Sequence, residues 1–165
     1  MVTTLAYAGL RAAELCALSI DDVDLIPGHA QLVVRRGKGD KYREVELSNG
    51  ARKALSEWLA WREHYGVGDE ECRAVFLGRR GPMTTRAVGF VVEKLAKQAQ
   101  ATGLDADVSP HALRDTFARR LIDGGTPLPD VQDLMGHESI VTTSRYTRPS
   151  KAQRKAHVDK LDVVF

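Results

Sequence analysis

Residues 109–148 read SPHALRDTFARRLIDGGTPLPDVQDLMGHESIVTTSRYTR, and the fold is read outward from them. His111 and Arg114 stand three apart at the start of an apolar-periodic run, so a helix places them on one face. Ser109 is the expected N-cap of that helix, Pro110 its first residue, and Asp123-Gly124-Gly125 its end. Leu128 to Met135 reads as a further short helix, followed by Gly136 and His137. Ser139 opens another, which carries Tyr146 nine residues past His137 and stops at Pro149. Lys151 to Leu161 forms a last, basic helix, and Val163 to Phe165 an apolar tail.

These residue types suit one chemistry. A phosphodiester under attack gains charge on its non-bridging oxygens, which guanidinium forks match bidentately. A tyrosine hydroxyl, with a free pKa of about 10, needs a base and cationic neighbours before it attacks. Histidine titrates near neutrality and can move that proton. Two histidines, an arginine and a late tyrosine are groups that can cut a phosphodiester without metal, and a phosphotyrosine link would keep the bond energy for religation.

Upstream, Met1 to Ala8 is apolar and helix-compatible with no N-cap before it, and Gly9 breaks it. Arg11 follows, then a short helix over Ala12 to Leu18 on which Glu14 can anchor its neighbours. Ser19 to Asp24 carries cap and turn residues, and Pro27-Gly28 is a turn. Gln31 to Arg35 and Tyr42 to Leu47 favour β-structure, joined by the hairpin loop Gly37-Lys38-Gly39-Asp40-Lys41, whose glycines let Lys38 swing. Ser48 caps a helix to His64, with Trp58 core and Trp61 partly core. Tyr65 to Arg73 is a polar loop, Ala74 to Leu77 a short strand, and Arg79 to Pro82 a turn. Thr84 or Thr85 caps a helix to Ala101 that turns Val88, Val91, Val92 and Leu95 inward, with Gly103 its C-cap.

At 165 residues and a net charge of +2, the chain reads as one globular domain of α+β class, mainly helical with a small antiparallel sheet. No apolar run is long enough to span a membrane, and no secretory segment opens the chain. Cys16 and Cys72 have no pairing logic, which predicts reduced thiols in a cytoplasmic protein. Charge is segregated. Acids gather at Asp21, Asp22 and Asp24 and at Asp69 to Glu71; bases gather at Arg35, Arg36, Lys38, Lys41 and Arg43 and from Arg145 to Lys155. One cationic face toward a phosphate backbone is one reading, ordinary solvated charge the other.

Five boxes, in order, resemble the tyrosine recombinase (phage integrase) family over nearly the whole chain. Gly9 to Leu15 resembles its first arginine box, and Gly37 to Arg43 its lysine hairpin. His111-Ala112-Leu113-Arg114 resembles its HxxR box, and Leu134-Met135-Gly136-His137 its LLGH box. Tyr146 stands where the family keeps its nucleophile. Asp115 departs from the histidine or arginine often found there. The resemblance implies that Arg11 and Arg114 clamp the scissile phosphate and that Lys38 protonates the leaving 5′ oxygen. It implies that His111 serves proton movement at Tyr146, that His137 bonds a phosphate oxygen, and that Tyr146 forms a 3′-phosphotyrosine. Neither ATP, metal nor any other cofactor is implied. Double-stranded DNA is the implied partner, with other protomers in a tetrameric synapse. Arg35, Arg36, Lys41 and Arg43 would follow the DNA backbone and Arg86 would touch a groove. The family's N-terminal core-binding domain is not in this sequence, which implies weak, salt-sensitive DNA binding. The tail at Val163 to Phe165 could pack on its own core or on a neighbouring protomer.

Each residue also has a plainer reading: Arg11, alone, would salt-bridge to Glu14, and Lys38 would be a surface lysine. Two rival functions share the resemblance. One is a DNA-binding remnant without strand transfer, the other a relaxing enzyme of topoisomerase IB type. A metal nuclease is disfavoured, because Asp21, Asp22 and Asp24 crowd a turn without partners.

Overall fold

The computed structural model describes residues 1–35, 42–64, 72–78, 80–100 and 108–136. Among them are α1 (Val2–Ala8), α2 (Ala12–Ala17), β1 (Val23–Asp24), β2 (Gln31–Val34), β3 (Arg43–Glu46) and α3 (Asn49–His64). They continue with β4 (Leu77–Gly78), β5 (Gly81–Pro82), α4 (Thr85–Gln100), α5 (Pro110–Asp123) and α6 (Leu128–Met135). Helices dominate, and β1-β2-β3 form a small antiparallel sheet, so the expected α+β class holds.

Alternation explains the sheet. Leu32 and Val34 on β2 point inward, and Leu32 pairs with Val45 on β3. Two residues before Val45, on the same face, comes Arg43, paired with Val34. A charged side chain on the inner face is costly unless it meets a partner.

One apolar core joins Leu5, Leu10, Leu15, Leu32, Val45, Leu55, Val75, Val88 and Val92. A second, smaller cluster of Ala118, Val131 and Met135 knits α5 to α6, with Phe117 and Leu121 against it. Trp58 is half-buried and donates its indole N–H to the Val75 carbonyl at 2.9 Å, while Trp61 stacks on it with ring centroids 5.3 Å apart.

The caps fall where polar side chains can reach orphan amides. Ser109 accepts from the Ala112 amide at 3.1 Å, and Thr84, not Thr85, accepts from the Ala87 amide at 3.2 Å. Ser48 does the same for Ala51 at 3.3 Å.

Three expectations change. Leu95 is 45 % exposed and Ala96 takes the inward place, because the buried stripe of α4 follows Val88, Val92 and Ala96 at i, i+4 spacing. The strand expected over Ala74 to Leu77 is instead a single bridge from Ala74 to Ser19 and a two-residue ribbon, β4 with β5. Val75 and Arg73 there bond the Ser19 turn rather than a long partner: the Val75 amide donates to the Leu18 carbonyl at 2.9 Å, and the Ile20 amide to the Arg73 carbonyl at 2.7 Å. Ser19 to Asp24 is more ordered than a turn, a 3-10 helix (Ile20–Asp22) capped by Ser19 and leading into β1. The Gly103 C-cap and every element expected beyond Gly136 lie outside the described residues. No described helix is long and apolar enough to cross a membrane.

Candidate active site

The site is built around Glu14. Gly9 ends α1 in the left-handed conformation, with φ 58°, and turns the chain so that α2 starts at Arg11. Arg11 is the N-cap and Glu14 stands at N3, so the carboxylate folds back to accept the Arg11 amide at 2.8 Å. It also accepts Nη1 of Arg11 at 2.6 Å, the salt bridge that Arg11 alone suggests. Arg43 arrives from β3 and forks onto both carboxylate oxygens, Nη1 to Oε1 at 3.1 Å and Nη2 to Oε2 at 2.7 Å. Arg114 comes from α5, with Nη1 at 3.6 Å from Oε2.

The same arginines close the end of α6. The last carbonyls of a helix have no partner within it, and they carry the negative end of its dipole. Here Leu134 O accepts Nε of Arg43 at 3.2 Å, Met135 O accepts Nη2 of Arg114, and Gly136 O accepts Nη2 of Arg11 at 3.2 Å. Arg114 also donates Nη1 to the Gly9 carbonyl. Thus consecutive carbonyls at one helix end are each taken by a different arginine, and all three arginines meet at one carboxylate.

Burial divides their roles. The side chains of Glu14 and Arg114 are each 3 % exposed and that of Arg43 9 %, whereas Arg11 keeps 29 %. Of the three arginines, Arg11 is the one an anion can reach without rearrangement. Arg114 would have to exchange a carbonyl for a phosphate oxygen.

Burial by itself would push the Glu14 carboxyl up. The Arg43 fork, the Arg11 amide and the Arg11 guanidinium outweigh it and hold the carboxyl down at about 2, from an ordinary 4.5. A carboxyl whose pKa is depressed on folding stabilises the fold above its unfolded value and loses that contribution as pH falls through the folded one. Stability is therefore expected to fall between pH 4.5 and about 2, by about 3 kcal/mol from this group. Denaturant midpoints across that range check it, and Glu14→Gln should flatten the dependence. An unchanged slope in the variant would assign the acid sensitivity elsewhere.

Arg11 and Arg114 are brought together, although α2 and α5 are far apart in sequence. His111 lies one turn before Arg114 on α5 and is exposed, its Nε2 3.7 Å from Asp115 Oδ1. Lys38, His137, Tyr146, Arg36 and Lys41 lie outside the described residues. Arg35 is 62 % exposed and bonds Asp22, and Arg86 is exposed in the first turn of α4. Arg43 is not on the surface as expected: the pleat that buries Val45 turns it inward onto Glu14. Asp21 and Asp22 are engaged by Arg73 and Arg35. The carbonyl contacts of α6 were invisible in the sequence, since main-chain acceptors have no residue signature. Arg43 did leave a signal, its alternation with Val45.

This architecture, helices around a small antiparallel sheet, is that of tyrosine recombinase catalytic domains. The chain belongs to the Phage integrase family, whose pattern covers residues 1–153. It is 40 % identical over 163 residues to Tyrosine recombinase XerC of Corynebacterium glutamicum, covering 94 % of this chain and 50 % of that protein. The crystal structure of XerA recombinase superposes with a TM-score of 0.81 at 33 % identity, over 99 % of this chain and 57 % of that one. XerH site-specific recombinase, bound to palindromic difH substrate in a post-cleavage complex, gives 0.82 at 28 % identity, over 98 % and 44 %. The chain spans about half the length of the relatives it matches.

Proposed function

We propose that this chain is the catalytic domain of a site-specific DNA recombinase, residues 1–165, which cleaves and rejoins strands through a 3′-phosphotyrosine. The observation that carries the reading is the meeting of Arg11 and Arg114 at the end of α6, immediately before His137. Membership of the Phage integrase family and the DNA-bound XerH relative support it.

In this reading Tyr146 attacks phosphorus, forming the phosphotyrosine bond and breaking the bond to the 5′ oxygen. His111 receives the tyrosine proton and Lys38 supplies one to the departing oxygen. Arg11 and Arg114 stabilise the charge that develops on the phosphate, and His137 bonds one of its oxygens. The freed 5′ hydroxyl of a partner strand then reverses the step, without ATP or metal. The DNA is double-stranded, protomers assemble on it as a tetramer, and the setting is the cytoplasm. Arg35, Arg36, Lys41 and Arg86 contact DNA outside the reacting phosphate.

A duplex nicked beside the cleavage site tests this, because loss of the short strand traps the covalent adduct. Adduct is expected with the unaltered protein in the presence of chelator, none with Tyr146→Phe, and about 10²- to 10³-fold less with Arg11→Gln. Phosphate-dependent DNA binding without adduct would replace this reading with a DNA-binding remnant. Site-independent relaxation of supercoiled plasmid would replace it with a topoisomerase IB-like enzyme.

A further inference from the structure

We propose that Arg43 is a positioning residue for strand cleavage: it locks the arginine box of α2 against the last turn of α6 and makes no DNA contact itself. The inference rests on the recombinase reading above. Three observations converge on it.

The fork on Glu14 fixes both oxygens of the carboxylate that in turn holds the Arg11 amide and guanidinium. The remaining donor, Nε, bonds Leu134 O. One planar group thereby spans two elements that the chain separates by more than a hundred residues, and a lysine ammonium cannot present donors along two edges at once.

Gly136 is shaped to fit it. A Cβ there would stand 3.0 Å from Nη1 of Arg43 and 3.3 Å from its Cδ and Cζ, in a backbone whose φ of 57° already disfavours other residues. The carbonyl of the same glycine receives Arg11. The side chain of Arg43 thus packs against Gly136, the residue that precedes His137.

Arg43 also begins β3, five residues after Lys38 in sequence, and its register against Val34 is set by the sheet. Among the described residues, the charged groups facing it are Glu14 on α2 and, across that carboxylate, Arg11 and Arg114. The start of β3, the first arginine box and the end of α6 are therefore held in one arrangement by one side chain. Misplacement of reacting groups by about an ångström can cost on the order of 10²-fold in rate.

The test uses the full-length protein, the nicked duplex, and the variants Arg43→Lys and Arg43→Gln, with circular dichroism at the assay temperature. Arg43→Lys keeps the charge and guards against a variant that fails to fold. The expected result is adduct formation slowed about 10- to 100-fold at saturating DNA in both variants. The half-saturating DNA concentration and the salt dependence of binding should match the unaltered protein. A salt slope reduced by about one would make Arg43 a phosphate contact and overturn the proposal. So would an adduct rate within about twofold of normal in folded Arg43→Lys, the substitution a geometric lock should not tolerate. If the unaltered protein forms no adduct, the recombinase reading fails and takes this one with it. An active protein with active variants overturns this inference alone.

Discussion

Glu14→Ala is expected to cost about 3–5 kcal/mol, because it strips the shared carboxylate from buried cations. Arg11 can swing toward solvent, but Arg43 and Arg114 cannot, at 9 % and 3 % exposure. Each keeps main-chain carbonyls and loses its counter-charge. In a chain of this size the loss corresponds to a melting temperature lower by about 6–20 °C. Glu14→Gln retains the shape and some acceptors, so its loss should be smaller. Pairing Glu14→Leu with Arg43→Met separates charge from packing: the double variant should recover much of what either single variant loses. A loss under about 1 kcal/mol in Glu14→Ala would mean that the α6 carbonyls alone satisfy these arginines. Thermal melts of the unaltered protein and these variants at neutral pH decide it.

Gly9→Ala should be nearly as severe. The position has φ 58°, where an L side chain costs about 1–2 kcal/mol. Its new Cβ would lie 2.3 Å from Cδ1 and 2.7 Å from Cε1 of Phe117, so the α5 ring must move, at about 1–3 kcal/mol. Together about 2–5 kcal/mol is expected. The Gly9 carbonyl also holds Arg114, so a shift here should pull on the site. Phe117→Leu in the same chain should return the part due to the clash and leave the part due to the backbone. If Phe117→Leu returns nothing, the crowding between α1 and α5 is not where the cost lies. Denaturant titrations of the single and double variants give both contributions.

Local rules were legible to within a residue or two wherever they act locally. The helix Pro110–Asp123, with its Ser109 cap and its glycine stop, follows from near neighbours in sequence, as does Leu128–Met135. So do β2 and β3, from their β-favouring residues. Leu95 shows the limit: an apolar residue beside a buried stripe cannot be told from one within it until the packing partner is placed. Arg43 shows it again. In sequence it is one of a run of basic residues, and only the neighbouring carboxylate reveals that it is internal.

The sequence by itself determined the main helices, strands β2 and β3 and the Ser48 and Ser109 caps, and it offered the residues proposed to act on a phosphate. It also held Arg11 and Glu14 together, because a capping box joins residues three apart. The tertiary structure alone decided that Arg11, Arg43 and Arg114 share Glu14 and that each takes a different carbonyl of α6. Those contacts link residues 21, 29, 91 and 125 positions apart, and their acceptors are largely main-chain oxygens that every residue carries. A group that all residues possess leaves no mark in a sequence until folding brings a donor to it.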